Sequence, residues 1–279
     1  MLFRSLSLFE KILEKIALET PTPHPQIWLY SWGEPLLHPD LPKMVTLIKQ
    51  RGFTSHLSSN MNIEKGLREL VKAEPDELKI SLSGFTPETY EQTHVKGNLL
   101  LVKSNLYKLR TYLDQYKSRT RVWVGHHLYK NNFMQQQDVK VICSELGFEH
   151  HPIQAFFQPL EKLIALSNGD VTVTTDPILN NLIVPPLKQM AFSLQHQLSD
   201  YDCELRFNQT VINADGSVAQ CCCQYDTKNM LGMQFLDYGR DDIEAAKYQN
   251  PICVSCRKLG LDYAPRALPA SLAVVAGND

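Results

Sequence analysis

The chain has 279 residues, of which 43% are hydrophobic and 21% charged, with a formal net charge of -2. That is a globular composition, long enough for one large domain or one large and one small, and it offers no basic excess for a phosphate backbone. Nucleic acid is therefore not an expected partner. Arg4, Glu10, Lys11, Glu14 and Lys15 break up any secretory core near the start, and no run reaches the roughly 18 apolar residues of a membrane span. The expectation is a cytoplasmic protein with no membrane association.

In chain order, Leu6, Phe9, Leu13 and Ile16 recur at helical spacing, and this first helix stops at Pro21, Pro23 and Pro25. Strands are then expected at 27–31, 54–58, 78–82, 121–127 and 149–155. Helices at 41–51, 63–73, 97–116 and 134–147 separate them. Strand and helix alternating at this rhythm imply a parallel sheet with right-handed crossovers, an α/β fold. Pro177, Pro185 and Pro186 punctuate a stretch without clear period, so a bridge is expected at 158–200. From 210 to 222 the sequence alternates around Asp215 and Gly216, which predicts a β-hairpin with a type I′ turn. The tail 264–279 is unpatterned and expected to be disordered.

Polar residues collect after the expected strands: Ser31, Trp32, Gly33, Glu34 and Pro35 after the first, Ser58, Ser59 and Asn60 after the second, Ser81 and Ser83 at the end of the third. In a parallel sheet, ligands sit beyond the carboxyl ends of the strands. Any one cluster alone would pass for turn formers and caps. The cysteines form a second constellation. Only Cys143 lies in the first two-thirds, on an apolar helix face, whereas Cys203, Cys221, Cys222, Cys223, Cys253 and Cys256 crowd the last third. Cys203, Cys221, Cys253 and Cys256, with Asp215 and Gly216 between the first two, could bring four thiolates to one zinc or one iron–sulfur cluster. Cys222 and Cys223 read as packing residues beside a ligand.

Taken together, LYSWGEPLLHPDLP, LSSNMN and LKISLSGFTPETY resemble the second, third and fourth strand segments of the radical S-adenosylmethionine barrel. The cysteine, aspartate-glycine hairpin, cysteine and later CxxC resemble its shortened auxiliary-cluster domain, called twitch; the fuller SPASM version needs more cysteines than follow Cys256. The resemblance spans 9–259. It implies an incomplete (β/α)6 partial TIM-like barrel over 1–157, the bridge, and a small cysteine-rich hairpin and helix domain over 201–263. It also implies that Gly33, Glu34 and Pro35 meet the amino group of the methionine moiety, with Trp32 where a glycine is usual. Ser59 and Asn60 would lie near the methionyl part, and Ser81 or Ser83 near the ribose. His126, His127 and Asn131 are further lining candidates.

By the same resemblance the intact protein would cleave S-adenosylmethionine reductively to a 5′-deoxyadenosyl radical that abstracts hydrogen from a peptide or small molecule. Flavodoxin or ferredoxin would be the reductant, and Cys203, Cys221, Cys253 and Cys256 would hold one auxiliary 4Fe-4S cluster. The family's CxxxCxxC loop is absent from this sequence. The first barrel strand and that loop are read as missing upstream, which implies an inactive chain with an exposed edge at 27–31. The alternative is a non-catalytic iron–sulfur or zinc scaffold. Catalytic residues and substrate stay unassigned.

Overall fold

The computed structural model describes residues 5–196 and 200–262. The tail read as disordered lies outside them. Two compact units divide the chain, Met1–Ile153 and Gln154–Asp279.

The first unit alternates helix and strand: α1 Leu6–Glu19, β1 Gln26–Trp28, α2 Leu41–Gln50, β2 Thr54–Ser59, α3 Leu67–Ala73, β3 Glu77–Leu82, α4 Pro87–Tyr90, α5 Leu99–Tyr116, β4 Arg121–Leu128, α6 Gln136–Leu146 and β5 Glu149–Gln154. The strands form one sheet in the order β1-β2-β3-β4-β5, an α/β fold, with β1 to β4 paired in parallel. Such sequential order follows from crossovers of one hand. The expected elements are present, with shifted ends. The first strand stops at Trp28 rather than residue 31, because Ser31 to Gly33 turn away toward a short 3-10 helix at Pro35–Leu37.

β2 and β3 alternate between half-buried and buried residues. Ser55, Leu57, Leu78, Ile80 and Leu82 face the helical side and are at most 1% exposed. A sheet sandwiched by helices would instead be apolar throughout. The other face is polar and ordered in levels set by the strand register. Trp28, His56, Glu77 and Arg121 are successive partners across β1 to β4. Trp28 stacks on His56 at 5.6 Å, and the Arg121 guanidinium bridges Glu77 at 2.7 Å and Glu149 at 2.7 and 2.6 Å. That bidentate contact holds the Glu149 carboxyl down at about 2. One level nearer the carboxyl ends, Ser58 pairs with Lys79 and Lys79 with Trp123; one further, Ser81 pairs with Gly125.

The second unit is largely helical. Residues 160–196, read as a bridge, contain α7 Leu160–Ser167, α8 Val171–Thr174, α9 Ile178–Asn181 and α10 Pro186–His196. After them come α11 Glu204–Phe207, β6 Val211–Ile212, β7 Val218–Ala219, α12 Arg240–Gln249 and α13 Pro251–Lys258. Leu160, Met190, Ile252 and Leu261 make a small core, with Cys221, Cys223 and Cys256 packed against it.

The β6–β7 hairpin is real, but its turn is not type I′. Asn213 accepts the Gly216 N–H at 2.9 Å and donates to Ser217 at 2.8 Å, leaving a three-residue loop in which Gly216 alone takes a positive φ, 85°. Asp215 keeps an ordinary conformation because its carboxylate accepts the Ser217 N–H and hydroxyl at 3.0 and 2.7 Å. Among the described residues no helix is long and apolar enough to cross a membrane.

Candidate functional sites

At the carboxyl ends of β1, β2 and β3 a cleft of about 270 Å³ is lined by Tyr30, Ser31, Trp32, Gly33, Glu34, Ser58, Ser59, Asn60 and Ser81. Three strand-end clusters, separate in sequence, thus share one concavity. Glu34 ties two of them together. One carboxylate oxygen accepts the Leu36 N–H at 3.1 Å, capping the 3-10 helix, and the other accepts the Asn60 N–H at 2.8 Å. Burial raises the Glu34 pKa, while those N–H groups and the Ser59 hydroxyl oppose the rise. Each oxygen accepts one backbone N–H in this way, and the carboxylate lines the cleft.

The loop after β2 is internally braced. The Ser59 hydroxyl accepts the Met61 N–H at 3.0 Å, and the side-chain carbonyl oxygen of Asn60 accepts the Asn62 N–H at 2.9 Å. Met61 is left-handed with φ 56°, a conformation that costs a non-glycine residue about 1 kcal/mol. Asn105, fully buried on α5, holds it there by donating to the Met61 carbonyl at 2.9 Å. Asn62 in turn donates to the Tyr90 hydroxyl at 2.5 Å. Ser58 and Ser81 meet hydroxyl to hydroxyl at 3.1 Å.

Of the seven residues expected here, Gly33, Glu34, Ser59, Asn60 and Ser81 line the cleft. Pro35 is buried as the first residue of the 3-10 helix, and Ser83 is 4% exposed, its carbonyl accepting from Asn132 at 2.9 Å; neither lines the cleft. Tyr30 was missed: one aromatic at the end of an expected strand carries no site signal. His126 points to the helical side, 0% exposed beside His150 at 5.7 Å, and Asn131 donates to Gln92 at 2.6 Å. His127 shares the polar face with Lys79, and burial pushes its pKa down to about 4.

In the second unit, a cavity of about 120 Å³ is lined by Cys203, Cys221, Cys223, Cys253 and Cys256, with Arg206, Arg257 and Asp262 beside them. All four expected ligands reach one space, and so does Cys223, which reads as mere packing in sequence; Cys222 does not line it. Asp202, unremarkable in sequence, assembles the surroundings. It accepts the Cys203 N–H at 2.7 Å and Arg257 at 2.8 Å, and also pairs with Arg206 and the Tyr248 hydroxyl. Burial would raise its pKa, but these donors lower it. Lys247, 2% exposed, donates to the carbonyls of Arg206, at 3.0 Å, and Gln209.

Among the described residues no three His, Cys, Asp or Glu side chains stand close enough to hold one metal ion. Thiolates are the ligand type that zinc and iron–sulfur clusters share, so the donor set around the cavity is chemically suited to either.

No family model matches the chain. Over 80 residues it is 35% and 36% identical to proteins named probable GTP 3',8-cyclase from Methanococcus maripaludis strains C5 and C7. The match takes in 28% of this chain and spans about a quarter, 27%, of each relative. Among solved structures, Streptococcus suis SuiB bound to S-adenosylmethionine is similar with a TM-score of 0.53 at 12% identity, covering 89% of this chain and 60% of that one. A histidine-tagged anSMEcpe with bound AdoMet gives 0.51 at 12% identity, covering 98% and 89%. The structural likeness is one of fold.

Proposed function

We propose that this chain, a member of the radical S-adenosylmethionine family, carries the S-adenosylmethionine site of such an enzyme on a partial barrel and one auxiliary 4Fe-4S cluster in a twitch-type second unit. In intact form the protein abstracts hydrogen from a peptide or small-molecule substrate, with a flavodoxin or ferredoxin as reductant. The observation that carries the reading is the single cleft shared by Gly33, Glu34, Ser59, Asn60 and Ser81 at the carboxyl ends of three parallel strands, where ligands of such sheets bind. A scaffold has no need to keep those residues on one concavity.

S-adenosylmethionine, reduced by a cluster, supplies a 5′-deoxyadenosyl radical. This chain's part is to hold it. The Glu34 carboxylate would hold the methionyl ammonium, Asn60 and Ser59 would line the methionyl part, and the paired hydroxyls of Ser58 and Ser81 would suit the ribose. Cys203, Cys221, Cys253 and Cys256 hold the auxiliary cluster, and Asp202 keeps Cys203 and α13 in place.

One observation favours a non-catalytic second reading: the chain has no CxxxCxxC. Without it the chain as it stands is proposed to bind rather than cleave S-adenosylmethionine. Anaerobic reconstitution followed by iron, sulfide and zinc analysis tests the auxiliary cluster: about four irons per chain and a broad shoulder near roughly 400 nm support it. Stoichiometric zinc without iron overturns it. Equilibrium dialysis with S-adenosylmethionine tests the cleft, and absence of binding after reconstitution sinks the family-based reading of it.

A further inference from the structure

Lys79 is a charged group on the polar face of the sheet to which neither the fold nor the proposed cofactor site gives an ionic role. Its register partners are Ser58 on β2 and Trp123 on β4, and Ser81, two residues on, shares its face. Ser58 and Ser81 both line the cleft. The Lys79 backbone therefore sits one register level below Ser81 of the cleft, and its side chain runs over β4. Its Nζ lies 5.2 Å from the Trp123 ring centroid. Among the described residues no carboxylate comes within ion-pair distance of it.

The side chain is given room to lie there. A β-carbon on Gly125 would come within 2.8 Å of Lys79 Cε, 3.1 Å of Ile153 Cδ1 and 3.2 Å of Trp123 Cζ3, so a glycine in mid-strand is what lets the lysine stem cross β4. Acids that could serve the ammonium are engaged elsewhere: Glu77 and Glu149 on Arg121, Glu34 on the Leu36 and Asn60 N–H groups. The remaining titratable neighbours are the imidazoles His127 and His94, both held near 4 by burial and so uncharged at neutral pH. One positive charge is left, half out of water, beside the Trp123 ring. A desolvated ammonium without a counter-ion is costly unless something binds it.

We propose that Lys79 is a substrate-anchoring residue that forms an ion pair with a single carboxylate of the substrate, seated on the polar sheet face over β3 and β4. The ligand class follows from charge: one cation matches one carboxylate group, whereas a phosphate dianion would put two charges on one centre and leave one uncompensated beside Trp123; a dicarboxylate can keep its second charge in solvent. That the carboxylate belongs to the substrate rests on the proposed function; that Lys79 binds it does not.

The test is isothermal titration of the full chain and its Lys79→Met and Lys79→Arg variants with glutarate, its neutral diamide, inorganic phosphate and S-adenosylmethionine. The expected result is glutarate binding by the wild type and no binding of the diamide. Lys79→Met then binds glutarate at least tenfold more weakly, Lys79→Arg stays within about threefold, and S-adenosylmethionine affinity is unchanged in all three. Circular dichroism of Lys79→Met confirms that it is folded. Glutarate affinity equal in wild type and Lys79→Met, a preference for phosphate, or loss of S-adenosylmethionine binding in Lys79→Met overturns the proposal. If the wild type fails to bind S-adenosylmethionine yet binds glutarate through Lys79, the anion site stands and the family-based reading of the cleft falls.

Discussion

The Glu34 carboxylate accepts the backbone N–H of Asn60 at 2.8 Å across 26 positions of sequence, locking the loop after β1 to the loop after β2. This bond makes one cleft of two strand ends. Replacing Glu34 with Gln leaves one acceptor where two backbone N–H groups need partners. Leaving a part-buried donor unpaired costs about 1–3 kcal/mol, so Glu34→Gln lowers the melting temperature. On the proposed function it also weakens S-adenosylmethionine binding at least tenfold by equilibrium dialysis, since the charge proposed to meet the ammonium is gone.

The cavity lining separates cysteines that sequence treats alike. Cys253→Ser and Cys256→Ser lose the reconstituted cluster, read as iron per chain and absorbance. Cys222→Ser, outside the cavity, retains both. Loss of iron in Cys222→Ser would show that the ligand set differs from the four thiols proposed.

His126 is fully buried with neither ring nitrogen hydrogen-bonded to the protein, and burial, with His150 second, holds its pKa at about 4. The unfolded chain has this group near 6.5 and so binds more protons between the two values. Its contribution is therefore complete above about pH 6.5 and is lost as pH falls through 4, by on the order of 3 kcal/mol. His126→Phe shows a shallower fall in melting temperature from pH 7 to 4.5. At pH 7 it is at least as stable as the wild type, having shed two orphaned polar atoms.

Lys247 and Asp202 hold the second unit by polar contacts that apolar side chains cannot replace. Lys247→Met abandons the carbonyls of Arg206 and Gln209, and Asp202→Ala releases Cys203, Arg206, Arg257 and Tyr248. Each change destabilises that unit by about 1–3 kcal/mol, measured by urea unfolding. Asp202→Ala also lowers cluster retention in air.

Lys79→Met has the opposite sign. It removes a desolvated amine with no ion-pair partner and leaves an apolar stem against Trp123, so the ligand-free protein melts no lower than the wild type. A drop of several degrees would show that Lys79 is structural.

Periodicity located every strand of the sheet, because alternation over β2 and β3 and the helical spacing of α1 are local properties of the chain. Ends were harder. Tyr30 and Ser31 read as strand because neither is a breaker, yet β1 ends at Trp28 and the chain turns toward the short 3-10 helix that Glu34 caps. The Asp215–Gly216 pair announced a hairpin, but only the bonds from Asp215 to Ser217 chose the three-residue loop. Pro35 and Ser83 stand beside cleft residues in sequence and off the cleft in space.

The sequence by itself determined the α/β order, the polar strand ends and the clustering of six cysteines, since each depends on residue type and spacing alone. The tertiary structure decided the rest. It chose Cys223 over Cys222 for the cavity, gave Asp202 its four partners and left Lys79 without a carboxylate. Those outcomes depend on strand register and on which loops meet, which arise from contacts between residues tens of positions apart.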